Sequence, residues 1–234
     1  GELSPTLVAA PLEARGWKSA LPRTTPLASS FPVPPRPPSL CPGCPHRSVF
    51  QTLNRLGVVV TGDIGCYTLG ALPPFSAMDT CVEMGASIGV AQGIEIAALQ
   101  AGGGRTPAAA GGGAEPKSPY AGRTVAVIGD STFAHSGVTG LMNAAYNGRT
   151  TLNVVLDNGT TAMTGMQPNP LSGERIDGKP APALDYEKLA AAVGLQPENV
   201  RIVDAYKPKD IEEAITGLLD RKQLALLVVK GLCI

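Results

Sequence analysis

Carboxylate and amide side chains follow two apolar runs of this sequence, and their chemistry suits a divalent cation. The first run ends at Gly129, Asp130 and Ser131, and the second ends at Asp157 and Asn158. Runs this apolar are typical of strands buried on both faces of a parallel sheet. Because ligands bind beyond the carboxyl ends of such strands, we expect Asp130 and Asn158 side by side at the ligand edge. Their oxygens, with nearby backbone carbonyls, are ligands suited to Mg²⁺ or Ca²⁺.

Alternating strand and helix patterns predict the fold that positions these residues. We predict strands over residues 58–61, 124–128, 152–156, 200–203 and 224–229, and helices over 46–56, 82–99, 139–146, 186–193 and 209–219. This alternation indicates an α/β fold: a doubly wound, mainly parallel sheet with helices on both faces. In the second helix, Gly85, Gly89 and Gly93 recur at every fourth position. Glycine lowers helix stability, so we expect another backbone or a cofactor to approach this face closely.

The composition of the chain changes near residue 40. Residues 1–39 are rich in proline, which favours an extended conformation, so we expect a linker or strap, with one short helix from Pro11 to Trp17. Residues 40–234 are expected to form one domain. Residues 101–122 are rich in Gly, Ala and Pro but lack the strand and helix of a phosphate-binding loop, which predicts a flexible insertion. The chain begins with Gly and is interpreted as a piece of a longer polypeptide.

The net charge and the cysteine pattern of the sequence argue against several classes of protein. The formal net charge is zero, which argues against nucleic-acid and acidic membrane partners. No apolar run is long enough for a membrane span. The five cysteines include one Cys-x-x-Cys, a pattern typical of cytosolic thiol or metal chemistry rather than of a secreted disulfide framework. We therefore expect a cytoplasmic protein.

Five motifs in this sequence resemble those of the thiamine diphosphate domain of 2-oxoacid:ferredoxin oxidoreductases, and most of all the large subunit of the indolepyruvate type. The motifs are CPGCPHR at 41–47, GDIGCYTLG at 62–70, EMGAS at 83–87, GDS at 129–131 followed after 26 residues by Asn158, and NGTTAMTG at 158–165. The resemblance is strong over residues 40–175 and looser beyond. It implies the thiamine diphosphate-binding fold for residues 40–234.

The resemblance also implies site residues. It places Mg²⁺ on Asp130, Asn158 and the carbonyl of Thr160, bridging the two phosphates of thiamine diphosphate. Ser131 stands where many members have Gly. The other cofactor-binding residues that we expect are Gly65, Cys66, Met84, Gly85, Gly129, Ser131 and Thr164. Helix N-termini after Gly65 and near Met84 would offer backbone N–H groups to the cofactor. Ordinary core packing is the alternative for Met84.

Two histidines are candidate catalytic residues. His135 lies four residues beyond Ser131, one helical turn, so we expect it to point back at the ligand edge. His46 begins the first helix. Either side chain would handle a proton or the substrate carboxylate. The alternative for each is an ordinary histidine on a helix surface.

The implied reaction is oxidative decarboxylation of a 2-oxoacid, an aryl-pyruvate, with coenzyme A accepting the acyl group and ferredoxin the electrons. The implied partners are a pyrimidine-binding domain of the same enzyme, which carries the activating glutamate outside this chain, and a smaller gamma-type or beta subunit. One alternative is another thiamine diphosphate-dependent decarboxylase or oxidoreductase. The other is a non-catalytic metal–thiolate module.

The cysteines Cys41, Cys44 and Cys66 resemble a trio that holds an iron–sulfur cluster in related members, together with a distant fourth cysteine. Cys81 and Cys233 are the candidates for the fourth position, and neither falls at a clear family position. We predict that the trio converges without a complete four-cysteine cage, and that the clusters lie on other domains. A zinc site that includes Cys81 and buried thiols without metal are the alternatives.

Overall fold

The structure is a computed structural model that describes residues 5–18, 37–100 and 123–233. It forms two compact units, divided between Pro37 and Pro38. In the first, helix α1 spans Pro5–Glu13, so the prediction of a helix from Pro11 to Trp17 is wrong. Alanine has the highest helix propensity, and two alanines directly precede Pro11, which favours a helix on its N-terminal side. Much of the predicted Pro-rich segment and the whole predicted insertion at 101–122 lie outside the described residues.

The second unit contains a six-stranded sheet in which every described pair is parallel, as the sequence predicts. The strands are β1 (Val59–Gly62), β2 (Thr80–Cys81), β3 (Thr124–Gly129), β4 (Leu152–Asp157), β5 (Val200–Asp204) and β6 (Ala225–Lys230). Their order is β2-β1-β3-β4-β6-β5. The sequence analysis missed β2 because two residues are too few to show a periodic pattern.

Helices cover both faces of the sheet. They are α2 (His46–Leu56), α3 (Ala86–Gln100), α4 (Asp130–Thr132), α5 (Val138–Tyr146), α6 (Tyr186–Ala192) and α7 (Pro208–Arg221). The π-helical turn Phe133–Gly137 joins α4 to α5. Helix α3 begins later than predicted because Gly85 has a φ of +91°, a conformation that cannot continue a right-handed helix.

Two hydrophobic clusters form the core, one on each face of the sheet. Successive strand residues point to opposite faces, so Val125 and Val127 pack with α2 and α7 while Ala126 and Ile128 pack with α3, α5 and α6. These strand residues are fully buried. Because a hydrophobic cluster covers each face of the sheet, both sides of the central strands are buried, and these strands are continuous apolar runs in the sequence.

The register of the sheet positions the polar strand ends. Gly129 of β3 pairs with Leu156 of β4, so the next residues along the two strands, Asp130 and Asp157, meet at the same edge. Strand β6 lies on the other side of β4, with Asp157 paired to Lys230. Three strand ends therefore converge on one edge of the sheet.

Candidate cofactor site

An open cleft of about 590 Å³ lies at this edge of the sheet. The predicted site residues that line it are His46, Gly65, Cys66, Met84, Gly129, Asp130, Ser131, Asn158, Thr160 and Thr164. Gly85 and His135 are predicted site residues that do not line it. The fold thus brings together residues from all five of the sequence motifs, which are far apart in the chain.

Asp130, Asn158 and Thr160 supply oxygen ligands on one side of the cleft. The backbone N–H of Ser131 donates to Asp130 Oδ1 at 2.8 Å, and the N–H of Thr160 donates to Asn158 Oδ1 at 3.2 Å. Asp130 and Asn158 are both buried. A carboxylate, an amide oxygen and backbone carbonyls are hard ligands, so this set fits Mg²⁺.

A bound cation would stabilise the ionised form of the Asp130 carboxyl. Burial raises its pKa to about 6, and the neighbouring carboxyl of Asp157 adds to the increase, whereas hydrogen bonds from Ser131 and Asn169 oppose it. Oδ2 of Asp157 accepts a hydrogen bond from the Tyr186 hydroxyl at 3.2 Å and forms an ion pair with Lys230 Nζ at 3.6 Å. Two carboxyl groups thus face one small region that has one nearby lysine, and a bound divalent cation would offset the remaining negative charge.

Large apolar side chains also line the cleft. Ile64, Met84 and Met163 line the cleft although 39%, 48% and 55% of their surfaces remain exposed. Large apolar side chains that stay this exposed beside a cleft are typical of a ligand or protein contact. Core packing is therefore the wrong interpretation of Met84.

A buried carboxylate that the sequence analysis did not assign to the site holds two of its loops. Asp63 is fully buried and accepts hydrogen bonds from the Tyr67 hydroxyl, the Ser87 hydroxyl and the Gly85 backbone N–H. The N–H of Gly65 donates to the Thr68 hydroxyl at 3.0 Å. The N–H groups of Gly65 and Gly85 are therefore occupied within the protein, and cofactor binding by the helix N-termini after Gly65 and near Met84 stays a prediction.

The two candidate histidines have different surroundings. His46 is buried, lines the cleft and contacts Tyr67 edge to face, with ring centroids 6.4 Å apart. Burial lowers the pKa of His46 to about 4, so its imidazole is neutral near pH 7. His135 is exposed, lies in the π-helical turn and does not line the cleft. Its catalytic role stays a prediction.

A second cavity of about 410 Å³ adjoins the cleft and contains the predicted cysteine trio. Cys41, Cys44 and Cys66 all line it, as does Cys233. The N–H of Cys233 donates to the carbonyl of Asn158 at 3.0 Å, because the chain beyond β6 continues alongside β4. His46, Cys66 and Asn158 line both cavities. The predicted convergence of the trio is confirmed, and the structure adds a fourth cysteine that its position in the sequence did not indicate.

The remaining cysteine does not belong to this group. The Cys81 thiol is exposed and donates to the carbonyl of Asp63 at 3.4 Å. Among the described residues, no three His, Cys, Asp or Glu side chains are placed to share one metal ion. The alternative of a zinc site that includes Cys81 is therefore wrong.

The fold and the cleft agree with a comparison against families of known proteins. Residues 63–229 match the thiamine pyrophosphate enzyme family, C-terminal TPP binding domain; thiamine pyrophosphate is another name for thiamine diphosphate. The chain belongs to this family. The matched residues include β2 to β5, all but the last residue of β6, and every residue of the cleft except His46.

Curated relatives and solved structures agree with this assignment. The chain is 44% identical over 204 residues to indolepyruvate oxidoreductase subunit IorA of Pyrococcus horikoshii and 38% identical over 212 residues to that of Methanothermobacter thermautotrophicus. Each match covers 86% of this chain but 30% of the relative, so the chain spans less than a third of their length. The fold is shared with 2-oxoglutarate:ferredoxin oxidoreductase from Magnetococcus marinus, with a TM-score of 0.62 and 19% identity over 94% of this chain and 67% of that one.

In the part of the chain that the structure describes, no helix is both long and apolar enough to cross a membrane.

Proposed function

We propose that this chain is the cofactor-binding domain of an indolepyruvate-type oxidoreductase, which decarboxylates an aryl-pyruvate oxidatively. The observation that carries the proposal is the cleft that Asp130, Asn158 and Thr160 line together with large apolar side chains. The relatives named as indolepyruvate oxidoreductase subunits support the substrate class. We further propose Mg²⁺, coenzyme A, ferredoxin, a pyrimidine-binding domain and a smaller subunit as its partners, and a cytoplasmic location.

The residues of the chain have distinct roles in this proposal. Asp130, Asn158 and the Thr160 carbonyl would hold Mg²⁺. Ile64 and Met84 would keep water away from the bound cofactor. When bound, thiamine diphosphate supplies the carbanion stabilisation that decarboxylation of a 2-oxoacid needs. His46 lines the cleft as a neutral imidazole, so one ring nitrogen could donate and the other accept a hydrogen bond or a proton there.

The test uses the full-length subunit with its partner subunit. Calorimetry should show that thiamine diphosphate binds in the presence of Mg²⁺ and that Asp130→Ala abolishes this binding. Asp177→Ala is a matched control, because Asp177 lies outside the cleft and pairs with Arg175 and Lys179 at the surface. Unchanged cofactor affinity in Asp130→Ala would contradict the metal assignment.

Reaction rates with indolepyruvate, phenylpyruvate and pyruvate would identify the substrate. Activity without ferredoxin or coenzyme A would favour another decarboxylase of this family.

The four cysteines support a second proposal: an iron–sulfur cluster beside the cleft. Burial raises the pKa of the Cys44 thiol, and the neighbouring thiols of Cys41, Cys233 and Cys66 raise it further. Cluster ligands are thiolates, so binding a cluster would have to displace the thiol protons that this raised pKa retains. Four thiols line one cavity, and a cluster contains several iron atoms, so its cysteines need not share a single metal ion. Such a cluster would supply an electron acceptor next to the cofactor. The expectation that all clusters lie on other domains stays the alternative to this proposal.

Iron and sulfide analysis of anaerobically purified enzyme tests the second proposal. Cys233→Ser should remove the equivalent of one [4Fe–4S] cluster from the full-length subunit, while any clusters on other domains remain. Cys81→Ser is the control, since this exposed thiol lies outside the cavity. Equal iron content in wild type and Cys233→Ser would rule out a cluster with this fourth ligand.

A further inference from the structure

The segment between β4 and α6 supplies a residue to the site that its sequence motifs do not include. Asn169 lies in this segment, is 8% exposed, and donates from Nδ2 to Asp130 Oδ2 at 3.2 Å. The two residues are 39 positions apart in the chain. We propose that Asn169 is a positioning residue that fixes the Asp130 carboxylate for Mg²⁺, an inference that rests on the proposed function.

Neighbouring hydrogen bonds determine which way the Asn169 amide faces. Its Oδ1 accepts the backbone N–H of Leu171 at 2.8 Å. If the amide were rotated by half a turn, its NH₂ group would face the Leu171 N–H, and its oxygen would face the Asp130 carboxylate. Both contacts would be repulsive, so Nδ2 must face Asp130.

The turn around Asn169 is braced independently of the amide. The backbone N–H of Asn169 donates to the Ser172 hydroxyl at 3.1 Å, and that hydroxyl donates to the Asn169 carbonyl at 2.8 Å. Leu171 packs against the core cluster under α5 and α6. These contacts fix the backbone, so the amide is presented to Asp130 from a rigid support.

The geometry leaves room for a metal ion on the carboxylate. Asp130 Oδ1 accepts the Ser131 N–H and Oδ2 accepts the Asn169 amide, one hydrogen bond to each oxygen. Each carboxylate oxygen has two lone pairs, so each keeps one for a cation. The terminal torsion of an aspartate is broad, and two opposed donors restrict it to one orientation. Outer hydrogen bonds of this kind orient metal ligands and typically contribute about 10- to 100-fold to metal affinity.

Three variants of the full-length subunit test the proposal by calorimetric titration of Mg²⁺ at saturating thiamine diphosphate. Asn169→Ser keeps a side-chain oxygen for the Leu171 N–H but removes the amide donor, so Mg²⁺ affinity should fall about 10-fold or more. Ser172→Ala loosens the same turn and leaves the amide intact, so affinity should change less than about twofold. Asp130→Ala is the reference for complete loss. Melting temperatures of the metal-free proteins show whether each variant is folded.

Each outcome has a separate meaning. Weaker Mg²⁺ binding in Asn169→Ser alone, with the metal-free melting temperature close to that of wild type, supports the proposal. Wild-type affinity in Asn169→Ser overturns it, and so does an equal loss in Ser172→Ala, because the effect would then come from the turn. Unchanged affinity in Asp130→Ala would instead overturn the proposed function itself.

Discussion

The hydroxyl of Ser87 donates to Oδ2 of Asp63 at 2.9 Å, and this contact ties the start of α3 to the end of β1. The same oxygen accepts the Gly85 N–H at 3.0 Å, and Tyr67 donates to the other oxygen. Asp63 is fully buried. One carboxylate thus holds both loops that carry Cys66 and Met84 into the cleft. The site depends on Asp63 although Asp63 does not line it.

Removal of the Ser87 hydroxyl should destabilise the protein. Ser87→Ala leaves the buried carboxylate with one donor fewer, and hydrogen bonds to charged groups contribute about 1.5–3 kcal/mol. Denaturant unfolding should show a loss of this size. Thr139→Ala is the control, because the exposed Thr139 hydroxyl donates only to the Ser136 carbonyl, and its removal should change stability by less than about 0.5 kcal/mol. Equal effects in the two variants would contradict a special role for Asp63.

The helices and strands that were predicted correctly are those whose residue patterns lie within a short stretch of the sequence. The bounds of α2 match the prediction at both ends, since Gly57 adopts the left-handed C-cap conformation with a φ of 66°. The central strands were predicted because both of their faces are buried. Asp130 and Asn158 were placed at one edge because strand ends in a parallel sheet meet there.

Contacts between distant segments were not predictable in this way. Asn169 lies in a polar segment without periodicity, and only the fold brings it to Asp130. Cys233 reaches the cysteine trio because β6 lies beside β4, a strand order that a single sequence does not encode locally. Asp63 follows a strand as Asp130 does, yet it points inward, and residue type alone cannot distinguish the two environments.

Adding a methyl group should have opposite effects at Gly93 in α3 and at Gly129 in β3. A Cβ on Gly93 would meet no atom within 4 Å, so Gly93→Ala should stabilise the helix by about 0.5–1 kcal/mol. A Cβ on Gly129 in β3 would lie 2.6 Å from the buried Tyr67 ring, so Gly129→Ala should destabilise by about 1–3 kcal/mol. Urea unfolding measures both. A destabilising Gly93→Ala would show that α3 depends on its glycines for packing.

Gly85 is the glycine of this series where a close approach is observed. Its Cβ would lie 2.3 Å from the Ser136 hydroxyl, and its φ of +91° is strained for other residues. Gly89 and Gly93, by contrast, face open space in the structure. The group near Gly85 is a side chain and Gly85 precedes α3, so the close approach of another backbone or a cofactor to the three glycines remains a prediction.

Deletion of residues 105–118 should leave the domain stable. These residues lie outside the described part of the chain, and their composition offers no periodic apolar face that would pack in a core. We expect the melting temperature to change by no more than about 2–4 °C, the shift that about 1 kcal/mol gives in a domain of this size. A decrease of many degrees would show that the segment is packed.

The pKa of Asp130 predicts that stability and metal binding respond to pH in opposite directions. Burial raises this pKa to about 6 in the folded, metal-free protein, against about 4 in an unfolded chain. Below pH 4 the Asp130 carboxyl is protonated in both the folded and the unfolded state, so it does not change the free energy of unfolding. As the pH rises from 4 to 6 the unfolded state ionises first, so the folded state loses about 3 kcal/mol of relative stability. Mg²⁺ needs the ionised carboxylate, so its affinity should rise through the same range and level off above it.

The Asp130→Asn variant separates the effect of Asp130 on the pH dependence of stability from the effects of other buried carboxyl groups. Asn cannot ionise, so the metal-free variant should be more stable than wild type at pH 7 and equal to it near pH 4, while its Mg²⁺ affinity is lost. Burial also raises the pKa of Asp63, but that group is present in both proteins and cancels in the comparison. Thermal melts without metal between pH 4 and 8, paired with Mg²⁺ titrations, measure both quantities. A stability difference that does not change with pH would show that Asp130 is not protonated in the folded protein in this range.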